Sequence, residues 1–220
     1  VTRRAEHHGY PGARLAPSYA DDVPPTRRGA PDGDAPPPPA FVAAAAEVRA
    51  APARPGVVIE EISPPRRIAP FALALTGHLP PEESGDGARG GADGRFVLLH
   101  DPSCPEGWGG EQRVVALVTA TVEPDLAGDP LLADVAWAWL VEELHAAGAV
   151  FDELGGTVTR VSSSSFGVLT DRPTGDQVEL RASWSPRSAL QAHVEGWTAA
   201  ICRLAGVPPV APGVLLLRRA

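Results

Sequence analysis

The stretch Val114–Gly148, VVALVTATVEPDLAGDPLLADVAWAWLVEELHAAG, decides the fold. Its first part reads as a strand, because Val114, Ala116, Val118, Ala120 and Val122 fall on one face of an alternating chain. Val115 and Leu117 begin the other face, which turns polar at Thr119 and Thr121. A central strand covered at least partly on both sides has this pattern. Asp129-Pro130 then predicts a helix start. The carboxylate accepts from free first-turn amides, and proline lacks the amide hydrogen that the first helical position leaves unused. Gly148 is the matching stop. Inside the helix, Trp137, Leu140, Val141 and Leu144 form one apolar stripe. Leu132, Val135 and Trp139 form a second stripe, about 140° away at the 100° step of a helix. Glu142 and Glu143 flank the second stripe. A helix with two such stripes is covered on two sides or offers one to a partner. Leu132, Val135 and Trp139 are therefore the expected partner surface.

Working outward, Phe41, Ala44, Ala45 and Val48 have helical spacing, stopped by Pro52. VVIEEI at Val57–Ile62 reads as a short strand, and Ile68–Leu79 as a short helix with Pro70 in its first turn. Arg95–His100 is a strand that returns through the turn-rich Asp101–Gln112 into Arg113–Val122. Past Gly148, Thr157–Leu169 is a strand interrupted by serines. Gln177–Trp184 alternates strictly, with Val178, Leu180, Ala182 and Trp184 inward. Ser185-Pro186 repeats the cap-then-proline signal, and Leu190, Val194, Trp197, Ile201 and Leu204 share one face of a last helix. The order predicts an α+β fold, an antiparallel sheet of about five strands covered by helices. It is similar to the order of elements in secretion-chaperone-like folds.

Composition sets the frame around this domain. The chain carries 25 Pro and 23 Gly, which cluster. Residues 1–38, rich in proline and without hydrophobic periodicity, are expected to be a disordered tail. Residues 39–220 form one domain, with a flexible Gly-rich loop at 80–94 (PPEESGDGARGGADG). The formal charge of -8 argues against direct binding of nucleic acid or an anionic membrane. Two cysteines, Cys104 and Cys202, are too few for a disulfide framework, so a reducing cytoplasm is the expected compartment. No apolar run is long enough to cross a membrane, and no secretory signal is visible.

Several segments carry a resemblance to a known family. They are SPPRRIAPFALAL, FVLLHDP at Phe96–Pro102, VEPDLAGDPLLADVAWAWL at Val122–Leu140, GGTVTR and SSSFG within Gly155–Gly167, RASWSP at Arg181–Pro186, and AGVPPVAPGV. From about Phe41 onward the chain resembles the actinobacterial family of domain of unknown function 3000. The resemblance implies a cytoplasmic protein without assigned activity. It also points toward RNA metabolism, since members are often encoded beside a ribonuclease D-like gene. The 1–38 tail and the length of the 80–94 loop depart from that pattern.

No catalytic motif stands out. His100 and Cys104 would make a base and a nucleophile, but no third orienting group is identifiable. Glu123, Asp125, Asp129 and Asp134 would suit a metal-dependent hydrolase, although capping and the helix dipole account for Asp129 and Asp134. There is no CxxC, HExxH, phosphate loop or GxSxG, so neither a metal nor a cofactor is expected. Arg160 and Arg181, on strands, are candidates to bind an anion or ligand together with Trp108. The favoured reading is a non-catalytic protein-binding or chaperone-like module, contacting another protein or a second copy of itself. The alternative is a metal-dependent hydrolase, or a nuclease-associated protein of RNA metabolism.

Overall fold

A computed structural model describes residues 36–81, 90–170 and 175–208. The predicted tail lies largely outside them, as do the centre of the predicted flexible loop and the C-terminal VLLLRR. The elements run α1 (Pro39–Ala50), β1 (Val58–Ile62), β2 (Phe71–Leu79), β3 (Ala92–His100), β4 (Gln112–Val122), α2 (Pro124–Ala127), α3 (Leu132–Ala146), β5 (Phe151–Ser162), β6 (Asp176–Pro186) and α4 (Leu190–Leu204). The six strands form one antiparallel sheet in the order β1-β2-β3-β4-β6-β5. The class is α+β as expected, with one strand more than the sequence reading counted.

The extra strand is β2, which corrects the helix expected over Ile68–Leu79. Ala and Leu favour a helix in isolation. Here the segment pairs along its length with β3 and over Ala74–His78 with β1, and it is buried on the helix side and partly covered on the other. Leu73, Leu75 and Leu79 face the helices, while Ala74 packs on the other side with Val97 and Leu99. The alternation is present, with Phe71, Leu73, Leu75 and Leu79 on one face and Ala72, Ala74, Thr76 and His78 on the other, but the helix-forming Ala and Leu masked it. The Gly-rich loop is also shorter than expected, because β3 already begins at Ala92.

One sheet face carries the main core. Phe96, Leu98, Val114, Val118, Val178, Leu180 and Trp184 lie under α1, α3 and α4 and are fully buried. The inward set predicted on β6, Val178, Leu180, Ala182 and Trp184, lies in this core. Helix α4 is the innermost helix. Its Trp197 and Ile201 sit over Gly77 and Gly94, which are cross-strand partners on β2 and β3. A Cβ at Gly94 would stand 2.5 Å from Ile201 Cδ1 and 2.8 Å from Trp197 Cζ2, so two bare backbones form the seat of the indole.

Helix starts depart from the predicted caps. Asp129 Oδ1 accepts from the Leu131 amide at 2.8 Å, forming the turn that leads into α3 rather than capping it. Ser185-Pro186 ends β6 instead of starting α4. The Leu190 amide, at the first position of α4, donates to Glu47 Oε2 on α1 at 2.8 Å. A cap supplied by another helix ties α1 to α4, and no local motif announces it. Glu47→Ala is expected to cost about 1 kcal/mol, read as a lower urea midpoint at unchanged slope.

The other sheet face is covered at one end only. There Ile68, Ala69 and Trp108 pack over Ala74, Val97 and Leu99. The rest presents Thr76, Arg95, Leu117, Arg181 and Thr157 in one cross-strand row, with Asp93, Thr119, Glu179 and Thr159 in the next.

Candidate functional site

Helix α3 presents a different face from the one its sequence suggested. The stripe turned into the core is Leu132, Ala136, Leu140 and Leu144. Leu132 is 2% exposed, so it is core and not partner surface. Val135 is half-buried, and half-buried Trp139 packs at the edge of the core. The Arg203 guanidinium lies 5.4 Å over the Trp139 ring. Arg203 also pairs with Glu142 at 2.7 Å and with buried Glu143 at 3.0 Å. The second stripe is thus divided between core and a cation cover.

Glu142, Glu143 and Arg203 line a cleft of about 520 Å³ between α3, α4 and the α1–β1 connection, together with Pro52, Arg54 and Glu195. Its charges are mostly engaged with one another. Arg54 Nη2 donates to the Pro208 carbonyl at 3.0 Å, and Arg203 holds two of the three glutamates. That geometry pins α3 to α4. Arg203→Met strands Glu143 in a buried position without its cation. An expected loss of about 2 kcal/mol follows, below the full cost of breaking a buried pair because Arg203 is partly solvated. Thermal denaturation against Glu143→Gln and the double variant measures the coupling.

The three candidate anion-binding residues do not share one face of the sheet. Arg160 pairs across to Val178, on the helix side of the sheet, and its Nη1 donates to the Asp129 carbonyl at 2.9 Å. Arg181 pairs across to Leu117 on the open side, and its Nε donates to Glu179 at 2.6 Å. Trp108 packs in the small cluster at the covered end of the open face.

Catalytic arrangements fare no better. His100 is buried beside Phe41 and Phe71, with ring centroids at 5.9 and 6.1 Å, whereas Cys104 is exposed. A buried ring among aromatics does not serve an exposed thiol. Among the described residues, no group of three or more His, Cys, Asp or Glu is placed to hold a metal ion. One Ser–His pair was not foreseen: Ser188 Oγ lies 3.3 Å from His193 Nε2. Trp184 Nε1 donates to His193 Nδ1 at 3.0 Å, which leaves the neutral ring's own proton on Nε2, facing the serine. A general base needs a bare nitrogen there, so the pair is built to hold the core together.

The remaining feature is the β5 edge of the sheet, which among the described residues pairs only with β6. β1, at the opposite edge, is five residues long, carries Glu60 and Glu61, and is bridged by Arg49, whose Nε and Nη2 each donate to Glu61 at 2.8 Å. The Arg49 guanidinium holds the Glu61 carboxyl below its usual range. Short, charged strands protect an edge. β5 is twelve residues long, exposed along most of its length, and irregular only between Asp152 and Gly155. Eight large apolar side chains stand exposed among the described residues. Six of them, Leu126, Leu131, Val150, Val161, Phe166 and Val168, lie in β5, in its flanks, or in the α2–α3 segment tied to it through Arg160. Phe166 is 79% and Val168 100% exposed.

The architecture defines a two-layer α+β protein, a six-stranded antiparallel sheet with its helices on one face and one long edge that no other described strand covers. The chain belongs to the family described as a protein of unknown function (DUF3000), whose model matches residues 37–215. No curated protein and no solved structure matches the chain.

Proposed function

We propose that this chain is a non-catalytic protein-binding module of the reducing cytoplasm, and that its contact surface is the β5 edge with its apolar flanks. The observation that carries this is the placement of six of the eight exposed large apolar side chains along that one side. Scattered exposed apolar residues are ordinary, whereas a concentration beside unpaired strand backbone is the chemistry of strand addition. This moves the contact from the Leu132–Val135–Trp139 stripe to a neighbouring surface, because Leu132 is buried and Trp139 lies under Arg203. The compartment rests on Cys104 and Cys202, the chain's two cysteines, which form no disulfide. No helix among the described residues is long and apolar enough to cross a membrane.

A photo-reactive side chain tests the reading in the native cell. Placed at Thr159 or Phe166, it is expected to form crosslinks to protein; placed at Glu60 on the other edge, it is not. Equal products from Glu60, or none from Thr159 and Phe166, would sink the proposal.

A further inference from the structure

We infer that the occupant of the β5 edge is a second copy of this chain, joined by antiparallel β5–β5 pairing across a two-fold axis near Val158. The inference rests on the reading of β5 as a contact surface and adds the partner's identity.

The edge is free to pair. Among the described residues, the backbone hydrogen bonds of β5 go to β6, and no other backbone bond reaches residues 151–162. Past the irregularity at Asp152 and Gly155 the strand is regular to Ser162, reading GGTVTRVS. An isologous contact requires the strand to be complementary to itself. A two-fold axis perpendicular to the sheet keeps each copy's open face on the same side, so only residues of like face stand opposite one another. Centred on Val158, the pairing sets Val158 against its symmetry mate and Thr157 against Thr159. It sets Gly156 against Arg160, and Gly155 against Val161. The only charge in this run, Arg160, meets a glycine and no like charge. Thr–Thr and Val–Val pairs across strands are favourable neighbours.

The flanks supply what a bare strand edge lacks. Val150 precedes β5, Phe166 and Val168 follow it, and Leu131 lies two residues beyond the carbonyl that Arg160 grips. Antiparallel pairing brings the start of one β5 toward the end of the other, so each copy's Val150 approaches the other's Val161–Phe166 side. Exposed apolar groups at both ends of the contact are covered twice over by symmetry. The product is a continuous twelve-stranded sheet, with the outward row Thr76, Arg95, Leu117, Arg181 and Thr157 repeated on one open surface.

Sedimentation velocity of the full chain from 1 to 200 μM tests this. The expected species at the upper end has twice the 22.9 kDa chain mass. In Thr157→Glu/Thr159→Glu, the symmetry sets glutamate opposite glutamate twice, and the association is expected to weaken at least tenfold. In Thr157→Glu/Thr159→Lys, glutamate faces lysine twice and the pair forms as in the wild type. Each new charge in that second variant also stands beside an opposite one on β6, Arg181 or Glu179, so folding is not at risk. A wild type that stays a single chain at 200 μM overturns the inference, as does a double-glutamate variant that associates undiminished. If the wild type is a single chain while Thr159 still crosslinks to a different protein in the cell, self-pairing falls and the reading of the edge stands. If neither is seen, both fall.

Discussion

Gly94→Val lowers the stability of the folded chain by about 3 kcal/mol, the upper part of the range for an overpacked core. The reason lies in the contact between β3 and α4. A Cβ at Gly94 would meet Ile201 Cδ1 at 2.5 Å and Trp197 Cζ2 at 2.8 Å, and one at Gly77 would meet the same two side chains at 2.9 Å. Trp197 is fully buried, packs against Phe96 at 5.6 Å between ring centroids, and points its indole nitrogen at the Leu117 carbonyl. It cannot move away without opening the centre of the core. Ile201 is the more yielding of the two. Ile201→Ala alone costs about 2–4 kcal/mol by leaving a cavity. Joined with Gly94→Val, it opens the space the new side chain needs. The double variant is therefore expected to be more stable than the two losses summed, by at least about 1 kcal/mol. Urea midpoints of the four proteins measure this, and strict additivity would show that Gly94 does not seat α4.

Acid is the second large effect. His193 is fully buried and accepts the Trp184 indole hydrogen at Nδ1, and burial pushes its pKa down from 6.5 to about 4. The unfolded chain carries an ordinary histidine, so between these two values it binds a proton that the folded chain refuses. Stability therefore rises with pH through that window. The contribution, about 3 kcal/mol, is fully present above pH 6.5 and is lost as pH falls to 4. His193→Gln keeps a hydrogen-bond acceptor for Trp184 and removes the titration. Denaturation of both proteins at pH 4, 5.5 and 7 is expected to show a steeper decline for the wild type. Parallel declines would mean that His193 is charged in the folded chain.

The sequence was most legible where one face met the core and the other met water. β6 alternates strictly and lies as read, and the apolar stripe of α4 is the buried one. β4 was readable because its second face turns polar toward Thr121. β2 was not, although Phe71, Leu73, Leu75 and Leu79 alternate with Ala72, Ala74, Thr76 and His78, because its Ala and Leu content suits a helix as well. The cap of α4 was invisible because Glu47 stands 143 residues from Leu190. On α3 the periodicity revealed two stripes but not their rotation. Which one turns inward depends on α4 and on β5, where Gly156 gives way to Trp137. The β5 edge is a product of strand order: β6 lies between β4 and β5, which leaves β5 outermost. Its one local signal was TVTRVSSSS, a strand-forming run with too little apolar alternation for an interior strand.

Hydrogen exchange along β5, compared at low and high protein concentration, tests the central claim most directly. Self-pairing at the edge predicts that amides of Phe151–Ser162 slow as the concentration rises, while those of Val58–Ile62 at the other edge stay unchanged. Protection that is independent of concentration along β5, or that rises along β1 instead, would contradict it.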